Sequence, residues 1–278
     1  MTDRKTDITG KHPYTPLPRS YKNQFSFSLA CPSFIYPDHI LPNVSMLAPF
    51  VDEIEVLIFE SAPAKHLPPE NDIRQMAALA KNQQISYNVH LPTDVNITDA
   101  VPGRQKKAIE RILAAADRAR PLAPVTWTLH LPFEENSTDT GTVQKWQKRA
   151  IDALERLLVQ SGIAPRHISI ENLDYPPEWM EPVAEAMDVS VCLDTGHLLE
   201  YNFDILETFE LFRPRITILH LYGDVAAGRG HLGLHRLDAR HVPAVSRILE
   251  GFCGTVSLEV FSFNDLSKSL PALEGLVS

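Results

Sequence analysis

The stretch Val191-Cys192-Leu193-Asp194-Thr195-Gly196-His197 decides how this chain is read. Three apolar residues run into an aspartate. A small-residue turn follows, and a histidine stands three positions after the aspartate. Such a run reads as a buried strand that ends at a polar site. Carboxylate and imidazole are both ligands for a hard or borderline cation. One such stretch says little. The same grammar recurs along the chain, with an apolar β-type run followed by a His or Glu at its C-terminal end.

Working outward, eight β-type runs can be marked: Phe25–Cys31, Glu53–Phe59, Ile85–Leu91, Val125–Leu131, His167–Asn172, Val189–Thr195, Ile216–Tyr222 and Thr255–Phe261. Most are rich in Val, Ile and Leu and are flanked by turn residues, as strands of a parallel sheet are. Between them lie helical patterns at Pro69–Gln83, Gln105–Arg120 and Gln144–Gln160, with apolar residues spaced near 3.6. Shorter helical segments are expected at Pro177–Met187, Asp204–Phe212, Ala239–Glu250 and Asp265–Leu276, and a weaker one at His39–Pro49 with Pro42 in its first turn. Strand and helix therefore alternate about eight times, which predicts an α/β chain folded as a single (β/α)8 TIM-type barrel over residues 25–278. A doubly wound open sheet is the alternative, less favoured because no Gly-rich phosphate loop follows the first strand. Residues 1–24 are polar and read as an irregular N-terminal extension.

Composition narrows the function classes. At 44 % hydrophobic and 22 % charged, the 278 residues are ordinary globular sequence. No run of about 18 apolar residues suggests a membrane span, and the N-terminal segment lacks the apolar core of a secretory signal. The three cysteines, Cys31, Cys192 and Cys253, lie far apart in or near apolar runs and form no CxxC. Buried, reduced thiols in a cytoplasmic protein are expected. The formal charge of −9, with no basic run, argues against nucleic acid as a partner.

Active sites of such barrels sit at the C-terminal ends of the strands. There the sequence places Glu60, His90, His130, Glu171, Asp194 with His197, His220 and Glu259 on consecutive strands. A lone His or Glu at a strand end is usually a hydrogen-bonded structural residue. A ring of them is different, because each buried ionisable group costs several kcal/mol, by rough estimate, unless paired or bound to metal. The mixture of imidazole and carboxylate suits Zn²⁺ and also Mn²⁺, Fe²⁺ or Co²⁺. Glu171, Asp194, His220 and Glu259 are enough for one divalent cation. His90 and His130 make sense if a second cation shares Glu171, and two cations side by side suit a phosphoester. Glu171 and Glu259 are the candidate catalytic carboxylates. His197 reads either as a ligand or as a hydrogen-bonding support. After the seventh strand, the segment Gly228-Arg229-Gly230-His231 through His235 reads as a loop whose His231 reaches the site. Arg229, His39, Glu60 and His235 are candidate substrate-binding residues, with Arg229 suited to a phosphate.

His90, His130, Glu171, Asp194, His197, His220, His231 and Glu259 together resemble, in order and strand position, the ligand pattern of the family 2 AP endonucleases, within the xylose isomerase-like TIM barrels. The resemblance implies a trinuclear zinc site: His90 and His130 on one ion with Glu171 bridging, Asp194, His220 and Glu259 on the second, His197 and His231 on the third. That family has an Asp two residues before the last His, where this chain has Arg229, so the expected count is two or three ions. Longer words, Ser33 to Val44, Val51-Asp-Glu-Ile-Glu55, Phe59-Glu-Ser61, Ile170-Glu-Asn-Leu-Asp-Tyr-Pro176 and Leu258-Glu-Val-Phe261, look like those of the cobamide-remodelling phosphodiesterases. This second resemblance runs from about residue 25 to the end. It implies hydrolysis of the phosphodiester in the nucleotide loop of a corrinoid such as adenosylcobalamin. Three rivals remain: a one-cation sugar isomerase or epimerase, a DNA-repair endonuclease, and a catalytically silent corrinoid-binding protein.

Overall fold

The computed structural model describes residues 14–60, 67–223 and 230–277. Its centre is a closed barrel of eight parallel strands in sequence order, β1 (Ser28–Pro32), β2 (Glu53–Leu57), β3 (Ser86–His90), β4 (Thr126–His130), β5 (Ile168–Glu171), β6 (Ser190–Asp194), β7 (Ile216–Leu221) and β8 (Thr255–Leu258). β1 pairs with β8 to close it. The (β/α)8 expectation holds, and the open-sheet alternative falls with that closure.

The helices α1 (Ile40–Leu47), α2 (Glu70–Gln83), α3 (Pro102–Ala119), α4 (Thr140–Ser161), α5 (Glu181–Met187), α6 (Thr195–Glu200), α7 (Ile205–Phe212), α8 (Val242–Leu249) and α9 (Phe263–Leu276) follow the strands. Their ends follow local chemistry. Asp139 caps α4 by accepting from the Thr142 amide, Asp204 caps α7 through the Glu207 amide, and Ser262 caps α9 through the Asp265 amide. α4 stops at Gly162, whose φ of +67° suits glycine. The helices bury one face each against the outside of the barrel, with Ile112, Trp146, Leu154, Ile248 and Leu270 fully enclosed.

The inside of the barrel is polar. Alternate residues point inward, and on β2, β3, β6 and β8 these include Glu53, Glu55, Asn88, Ser190, Asp194, Thr255 and Ser257, all buried. Glu53 accepts from Asn88 Nδ2 (2.6 Å) and Ser86 Oγ (2.7 Å). Burial pushes its carboxyl up, against those hydrogen bonds.

Two sequence expectations are corrected. The turn after Asp194 is the short helix α6, which Asp194 itself caps by accepting from the His197 amide (2.7 Å). Cys31 and Cys192 are buried thiols, but Cys253 is exposed, because Gly251 turns the chain at φ +72° just before β8. Among the described residues of the N-terminal segment, Leu17 and Tyr21 are buried against the core. No described helix is long and apolar enough to cross a membrane.

Candidate metal centre

Pairing register sets the site. Leu57 pairs with His90, His130 with Glu171, and Asp194 with His220. A register shift between β6 and β7 at Val191/Cys192 brings the last pair level; such irregularities re-aim side chains beside active sites. Glu171 lies at the middle. His90 Nε2 is 3.1 Å from its Oε2, His130 Nε2 is 3.2 Å from the same oxygen, and His197 Nδ1 and His220 Nδ1 are 3.5 and 3.7 Å from Oε1. His220 Nδ1 also stands 3.2 Å from Glu259 Oε2 and 3.7 Å from Asp194 Oδ2.

Three ligand sets emerge, each with its donor atoms within 4.8 Å of one another: His90, His130 and Glu171; Glu171, Asp194 and His197; Asp194, His220 and Glu259. The donor chemistry fits divalent cations. Asp194 Oδ2, Glu259 Oε2 and His220 Nδ1 are buried and have no hydrogen-bond partner, although they point at one another. Buried polar groups are normally satisfied, and a cation among these three would satisfy them. Glu171, Cys192 and His220 also converge, but burial pushes the Cys192 thiol up, leaving a protonated and poorer ligand.

Three of the five histidines share one arrangement. His90 Nδ1 lies 2.9 Å from the Leu91 carbonyl, His197 Nδ1 2.9 Å from the Asn172 carbonyl, and His231 Nδ1 3.2 Å from the Glu259 carbonyl. Donation from Nδ1 to a carbonyl fixes the tautomer of the neutral ring and leaves the Nε2 lone pair free for a cation, the usual support for a metal-binding imidazole. His220 is turned the other way. Its Nε2 lies 3.0 Å from Glu55 Oε1, close but without hydrogen-bond alignment, and Glu55 Oε2 accepts from Ser257 Oγ at 2.6 Å. Asn172 ties β5 to β6 by accepting from the Asp194 amide (2.8 Å) and donating to the Asp194 carbonyl (3.0 Å).

Charges are balanced within the cluster. Burial pulls the His90 imidazole down, but contact with Glu171, then Glu55 and Glu259, outweighs it and lifts His90 to about 9. His197 is also depressed by burial, yet Asp194 and Glu171 carry it to about 9. Burial alone would raise Glu171 and Glu259; the facing histidines, His130 and His220 for Glu171 and His220 and His231 for Glu259, hold both carboxyls well below the usual range.

The structure brings together His90, His130, Glu171, Asp194, His197, His220, His231 and Glu259. Among the described residues, Glu60, His39 and His235 lie outside that cluster. Glu60 lies past the end of β2 and is exposed; the acid that β2 presents to the cluster is Glu55. His39 is the exposed residue just before α1. His235 is exposed on a short turn against α9, where burial, Lys268 and Arg236 lower its imidazole. Arg229 lies outside the described residues. Sequence reading assigned no role to Glu55 or Asn172. Two acids alternating at Glu53 and Glu55 within an apolar run were the available signal for the first. Tyr222 was also missed: its ring fills the space above Gly196, where a Cβ would overlap it, so only glycine fits there.

The sequence pattern of the xylose isomerase-like TIM barrels matches residues 51–276. The chain belongs to that family. Solved structures of similar fold include a D-tagatose 3-epimerase-like protein (TM-score 0.74, 17 % identity, covering 90 % of this chain and 97 % of the other). The TTHB071 protein of Thermus thermophilus, from a crystal soaked with ZnCl2, is similar at TM-score 0.65 and 21 % identity over 91 % and 98 % of the two chains. Endonuclease IV of the same organism is similar at 0.64 and 14 % over 90 % and 98 %. At these identities the likeness is one of fold, shared by epimerases and endonucleases alike. No curated protein matches the sequence.

Proposed function

We propose that the protein is a metal-dependent phosphodiesterase that hydrolyses the nucleotide-loop phosphodiester of cobamides. The observation that carries the metal-dependent part is the position of Glu171, shared between the His90–His130 set and the Asp194-containing set. Two adjacent cation sets joined by one carboxylate suit a phosphodiester. When bound, paired divalent ions such as zinc activate water and stabilise the attacking and leaving oxygens of an in-line displacement. The chain's own part is to hold that geometry. Leu91, Asn172 and Glu259 carbonyls fix three of the five imidazoles, Glu55 faces that of His220, and Asn172 locks the β5–β6 edge. The choice of a cobamide rests on the resemblance of the words around Ser33–Val44, Glu55, Glu171 and Glu259. The net charge of −9 weighs against DNA, whose backbone would be repelled.

A second reading is favoured by one observation. Glu171, Asp194, His220 and Glu259 are sufficient for a single cation, and a D-tagatose 3-epimerase-like protein shares the fold. A sugar isomerase or epimerase would then use His90 and His130 to bind substrate. Incubation with adenosylcobalamin, with zinc, manganese and cobalt supplied in turn, separates the two. A corrinoid product lacking its nucleotide base is expected. Intact corrinoid under every metal, alongside interconversion of a ketose, would establish the isomerase instead.

A further inference from the structure

A train of aromatic rings runs from the open rim to the metal centre. Phe34 follows β1, Phe59 follows β2 and Phe261 follows β8, so all three stand at the strand ends that carry the ligands. The Phe34 and Phe59 ring centres are 5.3 Å apart, Phe59 and Phe261 5.9 Å, Phe261 and His231 4.9 Å, and His231 and Tyr222 4.4 Å. His231 in turn lies 3.4 Å from Glu259 Oε2. Phe59 and Phe261 are 41 % and 37 % exposed, and large rings left open side by side at a polar rim mark a binding surface more often than scattered apolar residues do. Beside them opens a cavity of about 720 Å³ lined by Tyr14, Phe34, Tyr36, Phe261 and Phe263, a size typical of ligand pockets. The other aromatic group of the rim behaves differently. Trp146 and Tyr175 are buried, Trp146 Nε1 donates to the Pro132 carbonyl, and Phe133 packs over both.

We infer that the Phe34–Phe59–Phe261 shelf seats the planar heteroaromatic base carried on one ester arm of the substrate. The inference rests on the phosphodiesterase reading. A phosphodiester held at the cations has two ester arms, and the shelf begins one ring away from Glu259. Aromatic faces accept a second flat ring by offset or edge-on stacking, and every base offers such a face. The corrin macrocycle is the poorer fit, because its two faces carry substituents that keep a phenyl ring at a distance, whereas the base is flat on both sides.

The test uses the intact metal-loaded protein and, as probe, the ribonucleoside of 5,6-dimethylbenzimidazole, with binding followed by calorimetry. Wild type should bind it, and Phe59→Ala and Phe261→Ala should each weaken binding about tenfold, the scale of one base–aromatic stack. Phe59→Trp should restore it. KM for adenosylcobalamin should rise by the same factor in Phe59→Ala, since the Phe59 ring does not touch His231, with kcat little changed and metal content matching wild type. Failure of the nucleoside to bind wild type, or equal binding by wild type and both alanine variants, overturns the shelf. The two readings separate cleanly. Cleavage of adenosylcobalamin with unchanged KM in both variants removes the shelf and leaves the phosphodiesterase. Nucleoside binding that is lost in both variants, in a protein that never cleaves adenosylcobalamin, keeps the shelf and removes the phosphodiesterase.

Discussion

The two ends of the candidate metal centre are built on different foundations. At one end, His90 and His130 are the last residues of adjacent strands, their ring centres 4.8 Å apart, and both meet one oxygen of Glu171. At the other end, His197 sits on the first turn of α6 and His231 on the segment after β7. Glu171 and Asp194 face His197, and Glu259 faces His231. Among the described residues, no set of three ligands joins His197 to His231. His231 also holds a backbone φ of +56°, a conformation that costs a non-glycine residue about 1–3 kcal/mol. The difference teaches where the centre is rigid. Strand-end ligands inherit the barrel's register, whereas ligands on a short helix and a loop depend on local packing, here the Tyr222 and Phe261 rings around His231.

The sharpest way to break this comparison is His130→Ala. It removes one nitrogen from a set that needs three or four donors. The bound-metal count of the purified, folded variant should fall by about one, and phosphodiester cleavage by orders of magnitude, because paired ions act as a unit. In the isomerase reading the single ion keeps its own four ligands, so metal content would stay constant and only substrate binding would change. Full metal with retained phosphodiester cleavage removes His130 from the ligand set.

Glu55→Gln asks whether the centre's rigidity extends below the ligands. Glu55 lies inside β2 with its Oε1 3.0 Å from His220 Nε2, while Ser257 donates to its other oxygen. Gln keeps the volume and loses the charge that supports the imidazole. Metal affinity by competition with a chelator should weaken about 10- to 100-fold, the usual effect of removing such a support. Unaltered affinity would show that His220 needs no carboxylate behind it.

Proton linkage gives a smaller, graded effect. His90 and His197, lifted from 6.5 to about 9 by facing carboxylates, are protonated in the metal-free protein at neutral pH. Their folded values exceed the unfolded ones, so this contribution to metal-free stability is complete below about 6.5 and is lost as pH rises through about 9. Cations must displace the same protons, so metal affinity should rise across that window, by up to about tenfold per pH unit for each proton released. The melting temperature of the chelator-treated protein should therefore fall between pH 6.5 and 9 while the gap to the zinc-loaded protein widens. A gap that narrows would mean that these imidazoles are not ligands.

Most of this candidate centre was legible because its His, Asp and Glu side chains sit at the ends of apolar runs, where period and polarity change together. Glu171, Asp194 and His220 each close a run rich in Val, Ile or Leu. What escaped lay inside elements or beside them. Glu55 is an inward residue of β2, and placing the end of that strand at Phe59 rather than Leu57 drew attention to Glu60 at the rim instead. α6 is six residues long and begins directly at the strand end, too short for a helical period to show. Cys253 is exposed beside an apolar Phe252 because Gly251 turns the chain there, and hydropathy does not register such a turn. The cobamide itself came only from resemblance, since no spacing of residues encodes a corrinoid.

His231→Asn carries the smallest expected effect and tests the loop end directly. Asn tolerates the left-handed backbone that His231 occupies, so the fold of the segment is preserved while the imidazole is lost. If the centre holds its ions through the strand ends, the metal count should stay at about two, as in two-metal phosphoesterases. Cleavage should then drop less than about tenfold, through the lost contact with Glu259 and the loosened Tyr222 and Phe261 rings. The measurement is metal content and turnover beside His130→Ala prepared in the same way. A count that falls by a full ion in His231→Asn would place a firm third cation on His197 and His231 despite Arg229 in the same segment. The two ends of the centre would then be equal partners, and the contrast between strand and loop would no longer describe how this site binds metal.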